Sequence, residues 1–258
     1  MKFVAITFDD GREDNYSVAF PILRKLGFPA TVYCTTGFID GTWKKKDDWY
    51  SAEAALSVQQ LKELKAAGWE IGLHGDKHIT EIDDTRVALE KMKKWEIFEK
   101  SIGYSLPDST VNQDNLRVVK ELLYPQTILY FRVGRNINTK SLKYRILFVL
   151  YTFLNIQLAY NSFNKNNVCL ANNIDKMRIC SVVVRRKDKP KMILRFIKSL
   201  PNDTFVVLMF HSIHHDNNVY KNDPWNWSET NFNYFCSVMK DCEDICVTTV
   251  EKAIKGVS

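Results

Sequence analysis

The sequence lacks any apolar stretch long enough to cross a bilayer as a helix, which takes about 20 residues. Its most apolar segment, Ile146 to Tyr160, is broken by Thr152, Asn155 and Gln157. Nothing repeats internally and no low-complexity linker divides the chain, which argues against solenoids and tandem arrays. Cys34, Cys169, Cys180, Cys236, Cys242 and Cys246 contain no CxxC pair, so they read as reduced thiols and not as a disulfide framework. A second metal site at Cys236, Cys242 and Cys246 is the weaker alternative to buried small side chains, because zinc sites show closer paired spacings. The opening MKFVAITFDD has one basic residue and a short apolar run before two acids, which is no secretory signal. The expectation is a cytoplasmic protein.

Charge is also not concentrated. Thirty-six Lys and Arg face 30 Asp and Glu, a net +6, scattered along the chain. This argues against nucleic acid as a partner, while phosphate-bearing substrates or an anionic membrane surface fit it equally. A length of 258 residues suits a single α/β barrel domain, expected here over residues 1–258. A chain of this size buries roughly 70–75% of its unfolded surface and needs no metal to hold it together. Any metal is then expected to be catalytic. Oligomeric state has no signature in the sequence.

Phe3 to Phe8 reads as a buried strand delivering Asp9-Asp10-Gly11 to a loop. Asn15 to Leu26 repeats at helical spacing and stops at Gly27. A strand over Ala30 to Thr36, a helix over Val58 to Ala67 and a strand over Trp69 to Leu73 follow. This alternation implies βαβ units and a parallel sheet or barrel. Helices are expected at Asp83 to Lys100, Asn115 to Leu123, Lys189 to Leu200 and Glu229 to Lys240. Strands are expected at Ile128 to Val133, Ile179 to Val184, Phe205 to Phe210 and Cys246 to Thr249. The apolar segment after Lys140, Lys143 and Arg145 has two readings. A core-packed barrel helix is preferred; the other is an interfacial helix making peripheral membrane contact through 140–160 at the inner membrane face.

Three strands end in metal-competent residues: Asp9 and Asp10, then His74 with His78, then His211. Each has an ordinary explanation alone, as a turn, a surface pair or a core histidine. Parallel strands, however, converge their C-terminal ends on one face, where sites are built, and three of only five histidines lie at such ends.

The runs Thr7-Phe8-Asp9-Asp10-Gly11, His74-Gly75-Asp76-Lys77-His78 and Leu208-Met209-Phe210-His211 resemble, in order and spacing, motifs of the polysaccharide deacetylase family of metal-dependent carbohydrate esterases. The resemblance extends to Val247-Thr248-Thr249-Val250. It implies a distorted (β/α) barrel of seven or eight parallel strands that removes an acetyl group from an N-acetylated sugar. Asp10, His74 and His78 would hold one divalent metal, with zinc the default and cobalt, nickel, iron or manganese the alternatives. Asp9 would be the general base and His211, with a near-neutral pKa, the general acid.

Three departures accompany the resemblance. Gly75 stands where the family usually has Ser or Thr to brace the loop, which suggests slightly weaker metal binding. Tyr104-Ser105-Leu106-Pro107-Asp108 lacks the Arg that commonly pairs with the base, leaving Asp9 less controlled. No Asp-Trp motif precedes His211. Arg132 or Arg135 is the candidate replacement cation, against an ordinary reading as a surface charge or substrate contact. Trp225 and Trp227 would either stack on a sugar or cap the barrel; His214 and His215 have no assigned role. The expected substrate is an acetylated saccharide or conjugate, lipid- or nucleotide-linked. An amidohydrolase acting on a non-sugar C–N bond and a catalytically weakened sugar-binding protein are the alternatives.

Overall fold

The seven residues of β1 (Lys2–Phe8) lie between neighbours on both sides, which is why nearly all are apolar and buried. In the computed structural model, which describes residues 1–44, 54–98, 100–107, 113–135, 141–215 and 223–256, β1 is the centre of a nine-stranded sheet. The strands β2 (Thr31–Cys34), β3 (Glu70–Leu73), β4 (Ile102–Ser105) and β5 (Ile128–Arg132) follow outward on one side, all parallel. On the other side lies β8 (Thr204–Phe210), flanked by β6 (Val168–Leu170) and β7 (Val182–Val183). Residues 176–181 run along β5, with the Ile179 amide donating to the Phe131 carbonyl at 2.9 Å and the Val133 amide to that of Ile179 at 2.8 Å. Because β7 then pairs with β8, this segment curls the sheet into a distorted barrel. β9 (Ile245–Thr248) pairs in parallel with the start of β1. Only β6 runs antiparallel among the described strands, so the expectation of parallel strands in a distorted barrel holds with one reversed member.

The interior is filled by Tyr33 and Tyr130, whose hydroxyls are 2.7 Å apart. Two strand glycines make the room: a Cβ on Gly72 would lie 2.3 Å from the Tyr33 ring, and one on Gly103 2.2 Å from that of Tyr130. Outside the sheet, Phe8, Trp69, Phe210 and Phe232 pack at ring separations of 5.5–5.9 Å, each such pair adding about 0.5–1.5 kcal/mol beyond its buried area.

Register positions the site. Phe8 lies opposite Phe210, so Asp9 and His211 leave adjacent strands at the same level. On the other side Phe8 is opposite Val32 and Val32 opposite Ile71, so His74 leaves β3 two residues beyond the level of Asp9. Leu73 is opposite Tyr104, which sets Ser105 beside His74, and Ser105 is in turn opposite Arg132.

Helix Glu229–Lys240 has the expected bounds. The helix expected to reach Lys100 stops at Lys94, because Glu96 adopts a left-handed conformation with φ 61°. The apolar segment forms two helices, Leu142–Leu154 and Gln157–Asn164, broken at left-handed Asn155. The preferred core-packed reading holds for only one face. Tyr151 is buried, whereas Leu142, Ile146, Val149 and Phe153, at helical spacing on another face, are 49–70% exposed. Lys140, part of its basic flank, lies outside the described residues, as does Asp108.

Candidate active site

Beyond β1 two consecutive residues are left-handed, Asp10 at φ 77° and Gly11 at φ 79°. Glycine suits the second position, since a Cβ there would lie 3.0 Å from Ile39 Cδ1. Asp tolerates the first at a cost of about 1 kcal/mol or more, strain of the kind found at functional sites. The reversal returns Arg12 onto Asp10: Nε and Nη2 donate to Asp10 Oδ2 at 3.1 and 3.0 Å. Its Nη1 donates to Ser212 Oγ at 2.7 Å and to Asp223 at 3.3 Å. Fully buried, Arg12 thus ties the β1 end to the segment after β8. Burial opposes ionisation of Asp10, but Arg12, with His211, His78 and His74, outweighs it and holds the carboxyl well below the usual range.

With Oδ2 anchored, Asp10 Oδ1 lies 3.7 Å from His74 Nε2 and 3.5 Å from His78 Nε2. One ligand atom from each of the three residues falls within 4.8 Å of the others. Ligand atoms around a tetrahedral ion at zinc–ligand distances are about 3.3–3.6 Å apart, so a borderline cation fits the donor set. His74 Nδ1 lies 2.7 Å from the Ser105 carbonyl; only a protonated Nδ1 satisfies that acceptor, which leaves Nε2 bare for a metal. His78 is itself left-handed, with φ 56°, and stacks on Trp43 at 6.3 Å and 10°. Among the described residues, Cys236, Cys242 and Cys246 do not gather into such a group.

The Gly75 departure has a local cause. Gly75 sits at φ 78°, where a Cβ would lie 2.8 Å from Asp84 Oδ2. The Asp84 carboxylate braces the loop instead, accepting the Asp76 and Lys77 amides at 2.8 Å each. Thr36 and Lys91 add bonds to Asp76 Oδ1 at 2.7 and 2.8 Å. The loop therefore does not lack support, contrary to the expectation drawn from Gly75.

Asp9 does not lack a cation either. Arg132, buried at the end of β5, donates through Nη2 to Asp9 Oδ1 and to Ser105 Oγ, while its guanidinium lies 5.0 Å over the Tyr33 ring. Burial would raise the Asp9 pKa, but Arg132, then His74 and His211, outweigh it and lower it. Asp9 Oδ2 is 3.9 Å from His74 Nε2, so this oxygen faces the ligand set. Arg135, the other candidate cation, instead donates to the Val183 carbonyl at 3.1 Å.

His211 is held by Trp225 on the following segment and by Asn15 after β1, not by an Asp-Trp motif. The Trp225 ring packs on it at 5.0 Å, and Asn15 Nδ2 donates to its carbonyl at 2.8 Å. Its pKa is not near neutral: burial, opposed by Asp10 and Asp9, lowers it to about 4. Trp227 caps the barrel, buried against Phe210 and Phe235 with Nε1 donating to the Asp188 carbonyl. His214 is buried 3.7 Å from Asp14, and exposed His215 pairs with Glu229 at 2.6 Å.

The structure thus brings Asp9, Asp10, His74, His78 and His211 to one face. Sequence reasoning missed Arg12, Asp84 and Asp223. Asp84 is indistinguishable in sequence from a solvated first-turn acid, and only three-dimensional closure joins Arg12 to Asp223. Arg12, an Arg directly after Asp-Asp-Gly, was the one available signal.

The model of the family described as polysaccharide deacetylase matches residues 1–138. A curated protein, "Putative polysaccharide deacetylase YxkH" of Bacillus subtilis (strain 168), is 26% identical over 134 residues, covering 48% of this chain and 43% of that protein. The chain therefore spans less than half the length of that relative. The solved structure of Streptococcus pyogenes deacetylase PplD in complex with acetate is 27% identical, covering 46% of this chain and 52% of that one at a TM-score of 0.39. A mutant of BA3943, described as a CE4 family pseudoenzyme with restored enzymatic activity, is 10% identical and covers 98% of this chain and 67% of that one at a TM-score of 0.50, a likeness of fold alone. With more than half of its length matched by that family model, the chain belongs to the polysaccharide deacetylase family.

Proposed function

We propose that residues 1–258 form one catalytic domain, a metal-dependent deacetylase that hydrolyses the N-acetyl group of an amino sugar. The observation that carries this reading is the convergence of the Asp10, His74 and His78 ligand atoms beside an Arg132-paired Asp9. Zinc is the default ion for this donor set. When bound, such an ion supplies Lewis acidity that polarises an acetyl carbonyl and lowers the pKa of water. Asp9 Oδ2 takes the proton of the attacking water, while Arg132 holds Oδ1 and keeps the carboxylate ionised. As the C–N bond breaks, His211 returns a proton to the leaving amine, giving acetate and a free amino sugar. A His211 pKa of about 4 makes the resting ring neutral, so during turnover it takes its proton from solvent, with Asp9 and Asp10 favouring the charged form, and the proton held by Asp9 returns to solvent as acetate leaves.

The non-sugar amidohydrolase and the weakened sugar-binding protein were motivated by a base without a cation, a motive that the Arg132–Asp9 pair removes. The cytoplasm is the proposed location. A lipid-linked acetylated saccharide suits the exposed apolar stripe of helix Leu142–Leu154, which would rest on the inner membrane face. The reading is tested by acetate release from N-acetylated saccharides by metal-loaded protein, alongside Asp9→Asn and His211→Ala. Each substitution is expected to lower kcat about 10²–10⁴-fold. Wild-type turnover that survives both would refute the assigned roles.

A further inference from the structure

Two cavities lie against helix Leu142–Leu154, the larger of which reaches Trp225 beside His211, and neither takes part in the proposed chemistry. The larger, about 570 Å³, is lined by Trp225, which packs on His211, and by Arg185, Phe148 and Lys187 among others. The smaller, about 270 Å³, shares Arg185 and Phe148 with it and adds Arg135, Arg145, Tyr144 and Phe163. The lining of the smaller one is unusual in charge. Three arginines meet in a small, otherwise mainly aromatic space with no carboxylate in the wall.

The guanidinium planes of Arg135 and Arg185 are occupied; of their edges, Arg135 Nη2 donates to the Val183 carbonyl at 3.1 Å, and both Nε donors remain unused. Arg135 lies 4.9 Å over Phe163, and Arg185 lies 5.0 Å over Phe148 and 5.5 Å from the Trp225 ring. Stacking satisfies the faces of an arginine and leaves its in-plane N–H groups free for a bidentate acceptor. The Nε atoms of both Arg135 and Arg185 are buried without a hydrogen-bond partner, as is the nearby Tyr160 hydroxyl. Neither arginine has an ion pair among the described residues. Asp188, which lines the larger cavity and whose charge both arginines feel, accepts the Arg185 backbone amide at 2.9 Å. Burial and the Arg185 charge lower the Arg135 pKa, with Tyr151 and Asp188 opposing them. Two half-buried guanidinium groups with orphaned Nε donors, joined by a third arginine in a wall that holds no carboxylate, suit an anion.

We propose that Arg135, Arg145 and Arg185 form a subsite for a phosphoryl group carried by the substrate, so that the substrate class is an acetylated sugar on a phosphate ester or diester. Arg185 and Trp225 connect the subsite to His211 through two successive ring contacts of 5.5 and 5.0 Å, so that a phosphoryl substituent extending past Trp225 from the sugar would reach it. The proposal rests on the deacetylase reading for the identity of the sugar, not for the anion.

The test is calorimetric titration with inorganic phosphate, then with N-acetylglucosamine 1-phosphate and its decyl ester, on wild type, Arg135→Gln, Arg145→Gln and Arg185→Lys. Saturable phosphate binding is expected, weakened about 10–100-fold in Arg135→Gln and partly retained in Arg185→Lys. Asp10→Asn should leave it unchanged. Acetate release from the phosphorylated sugar should show a raised KM in Arg135→Gln, with release from neutral N-acetylglucosamine oligomers unaltered. Tighter binding of the decyl ester than of the free sugar phosphate would identify a lipid-linked source, and equal binding a soluble one. If phosphate binds and Arg135→Gln abolishes it, but no sugar is deacetylated, the subsite stands and the functional reading falls. If neutral and phosphorylated sugars are deacetylated alike and phosphate binds no better to wild type than to the variants, the subsite is overturned and the deacetylase stands.

Discussion

At Asp9 the decisive contact is with Arg132, a residue 123 positions away in sequence. Removing one partner of a buried pair leaves an uncompensated charge, at a cost of about 3–5 kcal/mol. Arg132→Gln is therefore expected to lower both melting temperature and kcat, while the zinc affinity of the Asp10, His74 and His78 set changes far less. Calorimetric zinc titration beside acetate-release kinetics checks the split, and a parallel fall in zinc affinity would mean that Arg132 acts on the ligands and not on Asp9. Gly75 offers a sharper residue-scale test. Ser is common there in the family, yet here it would have to adopt φ 78° with its Cβ 2.8 Å from Asp84 Oδ2. Gly75→Ser is expected to weaken zinc binding by about 10-fold, since this range follows loss of a supporting contact; tighter binding would show that Asp84 does not substitute for a hydroxyl.

Among the elements, helix Leu142–Leu154 presents Leu142, Ile146, Val149 and Phe153 outward. If that stripe rests on a membrane, Val149→Glu with Phe153→Glu should abolish co-sedimentation with phosphatidylglycerol vesicles. Stability should change by no more than about 0.5 kcal/mol, as at other exposed positions. Unchanged sedimentation would end the membrane reading. The same helix marks where the sequence stopped being legible. Its apolarity was plain, but which face would be covered depends on packing that spacing does not encode. By contrast β1, β8 and helix Glu229–Lys240 were legible because their burial or amphipathic period is local, and they carry Asp9, Asp10 and His211 to one end. The short β4 was not foreseen. Its Ile-Gly-Tyr-Ser has a glycine whose purpose, room for the Tyr130 ring, exists only once the barrel curls. Arg132 and Asp84 were opaque as functional residues for the same reason: strand pairing across β3, β4 and β5, not sequence spacing, brings Arg132 to Asp9, and loop folding brings Asp84 to Gly75.

Through the whole molecule a polar column runs up the barrel interior from Glu70 through Tyr130 and Tyr33 to Arg132 and Asp9. Burial, only partly offset by hydrogen bonds from Tyr130, the Glu251 amide and Thr31, raises the Glu70 pKa to about 7. A carboxyl whose folded pKa lies above its unfolded value contributes stability fully present below the unfolded pKa and lost as pH rises through the folded one. Wild type should therefore lose roughly 2–4 kcal/mol between about pH 4.5 and 7 from this group. Glu70→Gln, though less stable at low pH, should have a flatter profile in urea unfolding; parallel profiles would contradict the assignment. The proposed chemistry depends on whether the Asp10, His74 and His78 face holds an ion. Acetate release from an N-acetylated saccharide should disappear when the protein is stripped by a chelator, return on adding one equivalent of zinc, and fail to return in His74→Ala. Undiminished release after complete stripping would contradict the account.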